Sequence, residues 1–239
     1  MERGIVRSQE GRAMGRFAFS NLKLRVITGV ILAVLAIWGL VWAPVWGFLM
    51  YLLVGLTIFE LVWATSRPDV YVSMQAAFFS GLLLAVAGLA LVTAATIRYE
   101  AGGTGVIIIL LVATAVADIA GLVFGKQFGK KKFAPAISPK KTWAGVWGSV
   151  VLGGLAAAIA WLAAEQYTTT GLNGLEITAI ALALPWVAIC GDLLASWPKR
   201  LMELDDWGKI FPGHGGIFDR LDSHYGVFAL FGVIQPLLL

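Results

Sequence analysis

The feature that most constrains this chain is a series of long apolar runs separated by polar segments. The runs lie at residues 24–43, 46–64, 74–97, 105–125, 143–164, 177–196 and 224–239. Most have the length of about 17–25 residues that a helix needs to cross a bilayer. An isolated spanning segment must be helical, because every backbone polar group has to be satisfied within it. We therefore predict an all-α fold, a polytopic transmembrane bundle of about seven helices.

The composition agrees with a bilayer as the main solvent of the protein. Of the 239 residues, 59% are hydrophobic and 13% are charged, whereas soluble domains contain about 25% charged residues. The single cysteine, Cys190, lies inside an apolar run and excludes an internal disulfide. Because the sequence shows no repeat and no linker, we expect residues 1–239 to form one integral-membrane domain, with a basic tail at residues 1–23.

The distribution of Lys and Arg predicts the orientation, because cytoplasmic loops of membrane proteins are enriched in these residues. If the basic tail lies in the cytoplasm, the loops at 126–142 and 197–222 lie there too. Of the 18 Lys and Arg residues, only Arg98 then falls on the outer side. This asymmetry accounts for the net charge of +4 without a nucleic-acid partner.

Three acidic residues interrupt the apolar runs: Glu60, Asp118 and Asp192. Ionisable residues inside a membrane are costly and usually face a polar cavity that serves function. Asp118 lies seven residues before Gly125 and Lys126, roughly 10 Å deeper along a helix, and Asp192 lies in a small polar patch with Ser196. We expect both aspartates to be functional, whereas Glu60 is either functional or simply reaches the membrane interface.

The first cytoplasmic loop is rich in lysine and ends in the sequence ISPKKTW, residues 137–143. In this stretch Ser138 and Thr142 can cap or hydrogen-bond, and Lys140 and Lys141 stand where the next helix begins. Hydroxyl groups, lysines and a helix amino terminus together suit the oxygens of a phosphate. We therefore predict that this loop binds phosphate groups.

The second cytoplasmic loop carries two carboxylates, Asp219 and Asp222, at a spacing that places them on one face of a helical turn. With Asp192 from the preceding helix they form a set of oxygen ligands suited to Mg²⁺. Lys199 and Arg200 supply cations near Ser196. The glycine-rich turn at residues 212–216 exposes backbone amides that can form a nest for an anion. This combination is what transfer of a nucleotidyl group requires.

Taken together, these residues resemble the signature of phosphatidate cytidylyltransferases, also called CDP-diacylglycerol synthases. The matching positions are Ser196, Lys199, Arg200, Asp206, Gly208, Pro212, His214, Gly215, Gly216, Asp219, Arg220 and Asp222. The resemblance covers about residues 115–225, which we predict to be the catalytic part, and includes Asp118 and the ISPKKTW stretch. Two positions differ from the family pattern: Pro198 replaces an aliphatic residue and Asp205 replaces a lysine.

The resemblance implies that CTP and phosphatidate react to CDP-diacylglycerol and pyrophosphate with Mg²⁺ or another hard divalent cation. The implied metal ligands are Asp192, Asp219 and Asp222. The implied phosphate-binding and supporting residues are Lys199, Arg200, Arg220, Lys140, Lys141, Ser138, Ser196, Asp118, His214, Gly215 and Gly216. Of these, Asp192, Asp219, Lys199, Arg200 and Arg220 are expected to act in catalysis. His214 is expected to orient the glycine turn or to touch a phosphate.

Three alternatives remain open from the sequence. One is a related CTP-dependent transferase that acts on another lipid phosphate or on a polyprenol. Another is a catalytically silent protein of the same fold that binds lipid or nucleotide, and Asp205 is the residue that favours it. An ion-coupled transporter would use Asp118 and Asp192 but leaves the second loop unexplained. Further expected partners are membrane lipids and a second copy of the chain in a homodimer. The compact length favours a bacterial inner membrane.

Overall fold

The structure is a computed structural model that describes residues 27, 30–31, 33–164, 174–208, 210 and 215–238. A helical segment at residues 33–41 ends in a bend at Trp42. The first helix whose two ends are both described begins at the next residue. Six helices follow: α1 (Ala43–Thr65), α2 (Met74–Ile97), α3 (Gly103–Phe128), α4 (Trp143–Ala164), α5 (Gly174–Leu201) and α6 (Phe218–Leu238). The predicted all-α bundle of about seven helices is thereby confirmed.

Among the described residues, five helices, α1 to α5, are long and apolar enough to cross a membrane. The predicted runs at 74–97 and 143–164 coincide with α2 and α4, and the other runs from 46 onward differ from their helices by several residues at one end or both. The predicted run at 224–239 begins six residues after the start of α6. Helix α5 continues past residue 196 to Leu201, with Pro198 inside it. Lys199 and Arg200 therefore belong to the last turn of a helix. The predicted basic tail at residues 1–23 lies outside the described residues.

A small antiparallel hairpin, which the sequence did not predict, separates α3 from α4. Its strands are β1 (Lys132–Ala134) and β2 (Ser138–Thr142), with Lys132 opposite Thr142 and Ala134 opposite Ser138. The hydroxyl of Thr142 accepts a hydrogen bond from the Gly145 amide, 3.2 Å away. This bond caps the amino terminus of α4, as expected for a hydroxyl residue at this position.

Small residues allow α3 and α4 to pack closely. A methyl group on Gly145 would lie 2.7 Å from the Gly121 carbonyl, and the Gly125 Cα would be 3.3 Å away. Ser149 donates a hydrogen bond of 2.7 Å to the Ala117 carbonyl across the same interface. Close backbone approach and interhelical hydrogen bonds hold helices together where lipid removes the hydrophobic driving force between them. The contact fixes the position of Asp118, which lies between these anchor points on α3.

A second close approach joins α5 to α6. A methyl group on Gly226 would lie 3.1 Å from the Gly191 Cα, and one on Gly191 would lie 2.6 Å from the Asp222 carbonyl oxygen. Neither helix could carry a larger side chain here without moving apart. The acidic residues next to these contacts, Asp192 on α5 and Asp222 on α6, are therefore held at the same level of the bundle.

Candidate active site

The predicted polar residues gather at one end of the bundle, which we call the loop end. It consists of the β-hairpin and the polar segment, residues 202–217 between α5 and α6, as far as the structure describes it. Arg200 Nε donates a hydrogen bond of 3.1 Å to the Ile137 carbonyl, and this contact connects the end of α5 to the hairpin. The two loops that the sequence assigned to one site are therefore in contact.

Three aspartates form a carboxylate cluster at the loop end: Asp118 on α3, Asp192 on α5 and Asp222 on α6. Asp222 interacts electrostatically with both Asp192 and Asp118, and Asp118 also interacts with Asp192. Ser223 donates a hydrogen bond of 3.2 Å to Asp118 Oδ1. Like charges brought together in this way repel, so the cluster favours a bound cation or the ammonium group of a lysine.

Lys141 supplies that positive charge from the hairpin. Its Nζ lies 2.7 Å from Asp192 Oδ2, with both side chains partly accessible. Ser196, one turn further along α5, donates a hydrogen bond of 3.2 Å to Asp192 Oδ1. Neighbouring residues of a strand point to opposite faces, and Lys140, next to Lys141, is exposed. The hairpin thus presents one lysine to the cluster and the other to the surroundings, while Ser138 on the same strand is half-buried.

Asp219 forms a buried ion pair with Lys199. Its Oδ1 is 2.6 Å from Lys199 Nζ, and its Oδ2 accepts a hydrogen bond of 2.8 Å from the Trp207 amide. The side chains of Lys199 and Asp219 are only 8% and 5% exposed. Both oxygens of Asp219 are therefore engaged within the protein. The pair connects the last turn of α5, the polar segment and the first turn of α6.

The predicted Mg²⁺ site can be compared with the side chains that the structure brings together. Within the described ranges, no group of three His, Cys, Asp or Glu side chains is arranged to hold a metal ion by itself. Mg²⁺, however, is commonly bound through one or two carboxylates together with water and substrate phosphates. Asp192 and Asp222 are carboxylates of this type on facing helices. The residues present fit Mg²⁺, with Asp219 committed to Lys199 rather than to the cluster.

The remaining predicted residues occupy the rim of the loop end. Arg200 Nη1 donates a hydrogen bond of 3.4 Å to the Leu204 carbonyl and lies 4.0 Å from the fully exposed Asp205. Arg220 is exposed on the first turn of α6. Both arginines are exposed at the loop end. Pro198, which differs from the family pattern, is buried inside α5.

The glycines of the polar segment have identifiable structural roles. Gly215 has a φ of +83°, which side-chain-bearing residues rarely adopt. Gly216 packs against the carboxylate of Glu60, so that a methyl group on it would lie 2.6 Å from an oxygen of that side chain. The predicted anion nest at residues 212–216 stays a prediction, because His214 and most of that turn lie outside the described residues.

Sequence reasoning left Glu60 between two interpretations, and the structure adds a contact that neither of them named. Glu60 is 1% exposed and is buried inside the protein. Its Oε1 and Oε2 accept hydrogen bonds from the amides of Ile217 (3.1 Å) and Phe218 (2.8 Å). The signal in the sequence was the isolated acid in an apolar run, but its partner lies 157 residues further along the chain. No local pattern connects the two.

The chain is similar to known proteins over most of its length. It matches the cytidylyltransferase family over residues 4–237. A phosphatidate cytidylyltransferase from Brucella suis is 30% identical, over 90% of this chain and 94% of the relative. One from Rickettsia conorii is 30% identical, over 85% and 86%. An uncharacterized protein of Escherichia coli, YnbB, is 33% identical over 74% of this chain and 65% of its own length. No solved structure gives a significant match.

Proposed function

The chain belongs to the cytidylyltransferase family, and from this premise we propose that it transfers the cytidylyl group of CTP to phosphatidate. It is an integral-membrane enzyme, and the described part of the chain contains five helices able to cross a bilayer. The observation that carries the substrate assignment is the position of the carboxylate cluster and Lys141. They lie where apolar helices give way to polar loops, so a lipid phosphate and a water-soluble nucleotide can meet there.

The reaction requires little covalent work from the protein. An anionic oxygen of phosphatidate attacks the α-phosphorus of CTP, the new P–O bond forms, and the bond from the α-phosphorus to the bridging oxygen of the β-phosphate breaks. Pyrophosphate leaves with that oxygen, and the lipid product is CDP-diacylglycerol. Because the attacking oxygen is already anionic near neutral pH, no general base has to remove a proton. Positioning and charge neutralisation account for the catalysis that is needed.

Asp192 and Asp222 are the residues we assign to a divalent cation, with Asp118 supporting them from α3. When bound, Mg²⁺ neutralises phosphate charge and orients the phosphate chain for in-line displacement. The assignment is supported by the electrostatic interaction between these carboxylates and by the preference of Mg²⁺ for oxygen ligands. Asp219 instead holds the loop end together through Lys199.

Lys141 is the residue we assign to the negatively charged phosphates. In the ion pair with Asp192 it offsets the charge of one carboxylate of the cluster, and a phosphate oxygen at the cluster would lie within reach of the same ammonium group. Lys140, Arg200 and Arg220 add positive charge around the rim. Positive charges on flexible side chains favour binding of a polyphosphate and stabilise the leaving pyrophosphate.

We further propose that the loop end faces the cytoplasm of a bacterial cell and that the protein resides in the inner membrane. The support is the distribution of Lys and Arg, since a cytoplasmic loop end leaves only Arg98 of the 18 such residues on the opposite side. CTP is then available to the site directly. The homodimer and the lack of a nucleic-acid partner stay predictions.

The test is release of pyrophosphate by purified protein in detergent micelles containing phosphatidate, with CTP and Mg²⁺. We expect release to depend on both substrates, and the lipid product to contain the cytidine. Diacylglycerol in place of phosphatidate, and ATP in place of CTP, serve as matched controls and should give background release. Asp192→Asn should reduce turnover at least about a hundredfold, the scale expected when one electrostatic stabiliser is removed. Pyrophosphate release that is indifferent to the lipid would contradict the assignment.

A further inference from the structure

The buried carboxylate of Glu60, which lies outside the site, joins helix α1 to the start of α6. Glu60 lies on the face of α1 that also buries Thr57, Leu61 and Ala64. Its two oxygens accept hydrogen bonds from the amides of Ile217 and Phe218, the residues at which α6 begins. The first amides of a helix have no partner within it. Here they are satisfied by a side chain from another helix, and its negative charge matches the positive end of the helix dipole.

The polar segment folds around the same carboxylate. A methyl group on Gly208 would overlap the Glu60 side chain, and one on Gly216 would lie 2.6 Å from its Oε1. Both glycines belong to the sequence signature of the second loop. Glu60 therefore gives a physical reason for two small positions in that signature: the backbone must approach a buried carboxylate at both places.

The position of α6 sets the position of the site. Phe218, held by Glu60, is followed directly by Asp219, whose oxygens contact Lys199 and the Trp207 amide. One turn later on the same helix comes Asp222 of the carboxylate cluster. A shift or rotation of the first turn of α6 would therefore move both aspartates at once, because they share its backbone.

We propose that Glu60 is a positioning residue for the transfer reaction, holding the first turn of α6 and the polar segment in register with α5. Its carboxylate accepts hydrogen bonds from the amides of Ile217 and Phe218, and it acts through them. The effect that we expect on catalysis rests on the proposed function. The structural part of the proposal, the attachment of α6 to α1, is independent of the substrate.

The test compares Glu60→Gln with a matched control, Thr57→Val. The glutamine keeps the size of the side chain but has one acceptor oxygen, and its amide nitrogen would face a backbone N–H. Thr57 lies one turn earlier on α1, and its hydroxyl is 2.7 Å from the Tyr225 hydroxyl two turns into α6. Thr57→Val thus also removes a buried bond between α1 and α6, but away from the first turn of α6.

Hydrogen–deuterium exchange of the substrate-free protein gives the first measurement. In the wild type the peptide containing Ile217 and Phe218 should exchange slowly. In Glu60→Gln it should exchange at least about tenfold faster, as loss of a charge-assisted hydrogen bond predicts, and Thr57→Val should leave that peptide unchanged. Fast exchange of these amides in the wild type would overturn the proposal without any variant.

Kinetics give the second measurement. Glu60→Gln should lower kcat about tenfold or more while changing the KM for CTP less than about threefold, because misplaced groups cost most in the transition state. Thr57→Val should keep kcat within about twofold. Faster exchange in Glu60→Gln without a fall in kcat overturns the positioning role. A fall in kcat without faster exchange overturns it too. If the wild type does not use phosphatidate, the proposed function fails, and the exchange measurement still decides whether Glu60 anchors α6.

Discussion

The buried pair of Lys199 and Asp219 gives a quantitative prediction about stability. The two charged groups are 2.6 Å apart, and the side chains are only 8% and 5% exposed. Asp219→Asn keeps the shape of the side chain but removes the negative charge that lies directly against the buried Lys199 ammonium. Removing one partner of such a pair typically costs about 3–5 kcal/mol. At about 2–4 °C per kcal/mol for a chain of this size, the lower figure corresponds to a Tm at least about 6 °C lower.

A second substitution separates the charge effect from simple loss of contacts. Lys199→Met in the Asp219→Asn background removes both charges and keeps an apolar side chain of similar length. Replacing a buried ion pair by uncharged groups is often close to neutral, so the double variant should recover most of the lost Tm. The amide oxygen introduced at position 219 can still accept the hydrogen bond from the Trp207 amide in both variants. Turnover should stay low in the double variant, because the positive charge of Lys199 is missing from the loop end.

The assay is thermal unfolding in one detergent at one protein concentration, followed by intrinsic tryptophan fluorescence or loss of soluble protein. Asp205→Asn serves as control, since Asp205 is fully exposed and 4.0 Å from Arg200, and exposed pairs contribute little. Its Tm should stay within about 1 °C of the wild type, on the same principle. A double variant no more stable than Asp219→Asn would refute the reasoning, because the loss would then not come from an unpaired buried charge.

Further predictions concern the ion pair at the cluster, the polar segment and the orientation. Lys141→Gln should lower kcat/KM for CTP about tenfold or more in the pyrophosphate assay, since it removes a charged contact to the phosphates. Gly208→Ala should lower the Tm by several degrees, because its methyl group overlaps a buried carboxylate. Asp205→Lys should leave the KM for CTP within about twofold at moderate salt, because an exposed side chain is screened by water. In a Cys190→Ser background, Gln127→Cys and Asp205→Cys should both be labelled by an impermeant thiol reagent in inverted membrane vesicles and not in intact cells. Labelling of the two cysteines from opposite sides of the membrane would contradict a shared loop end.

The sequence by itself determined the class of fold. Apolar runs of spanning length admit only helices, because a bilayer offers backbone groups no other partner. The runs at 74–97 and 143–164 became α2 and α4 without change of bounds. The functional family also followed from sequence, since a dozen fixed positions between Ser196 and Asp222 are specific without any coordinates.

Which charged groups face one another was decided only by the tertiary structure. The spacing of Asp219 and Asp222 predicted a shared helical face, and both residues lie on α6. Only the fold shows that Asp219 pairs with Lys199 and that Asp222 interacts electrostatically with Asp192 and Asp118. Helix rotation and crossing depend on small residues such as Gly191 and Gly226, whose effect on packing a one-dimensional pattern does not contain.

Glu60 shows most clearly that the sequence does not reveal which groups face one another. The chain places it 157 residues from the first amide that it holds, in a run whose sequence explains only that the segment crosses the membrane. A buried carboxylate must find hydrogen-bond donors, but sequence cannot say which helix supplies them when most of the bundle is equally apolar. The fold supplies them at the start of α6, where unpaired amides and a positive dipole end coincide.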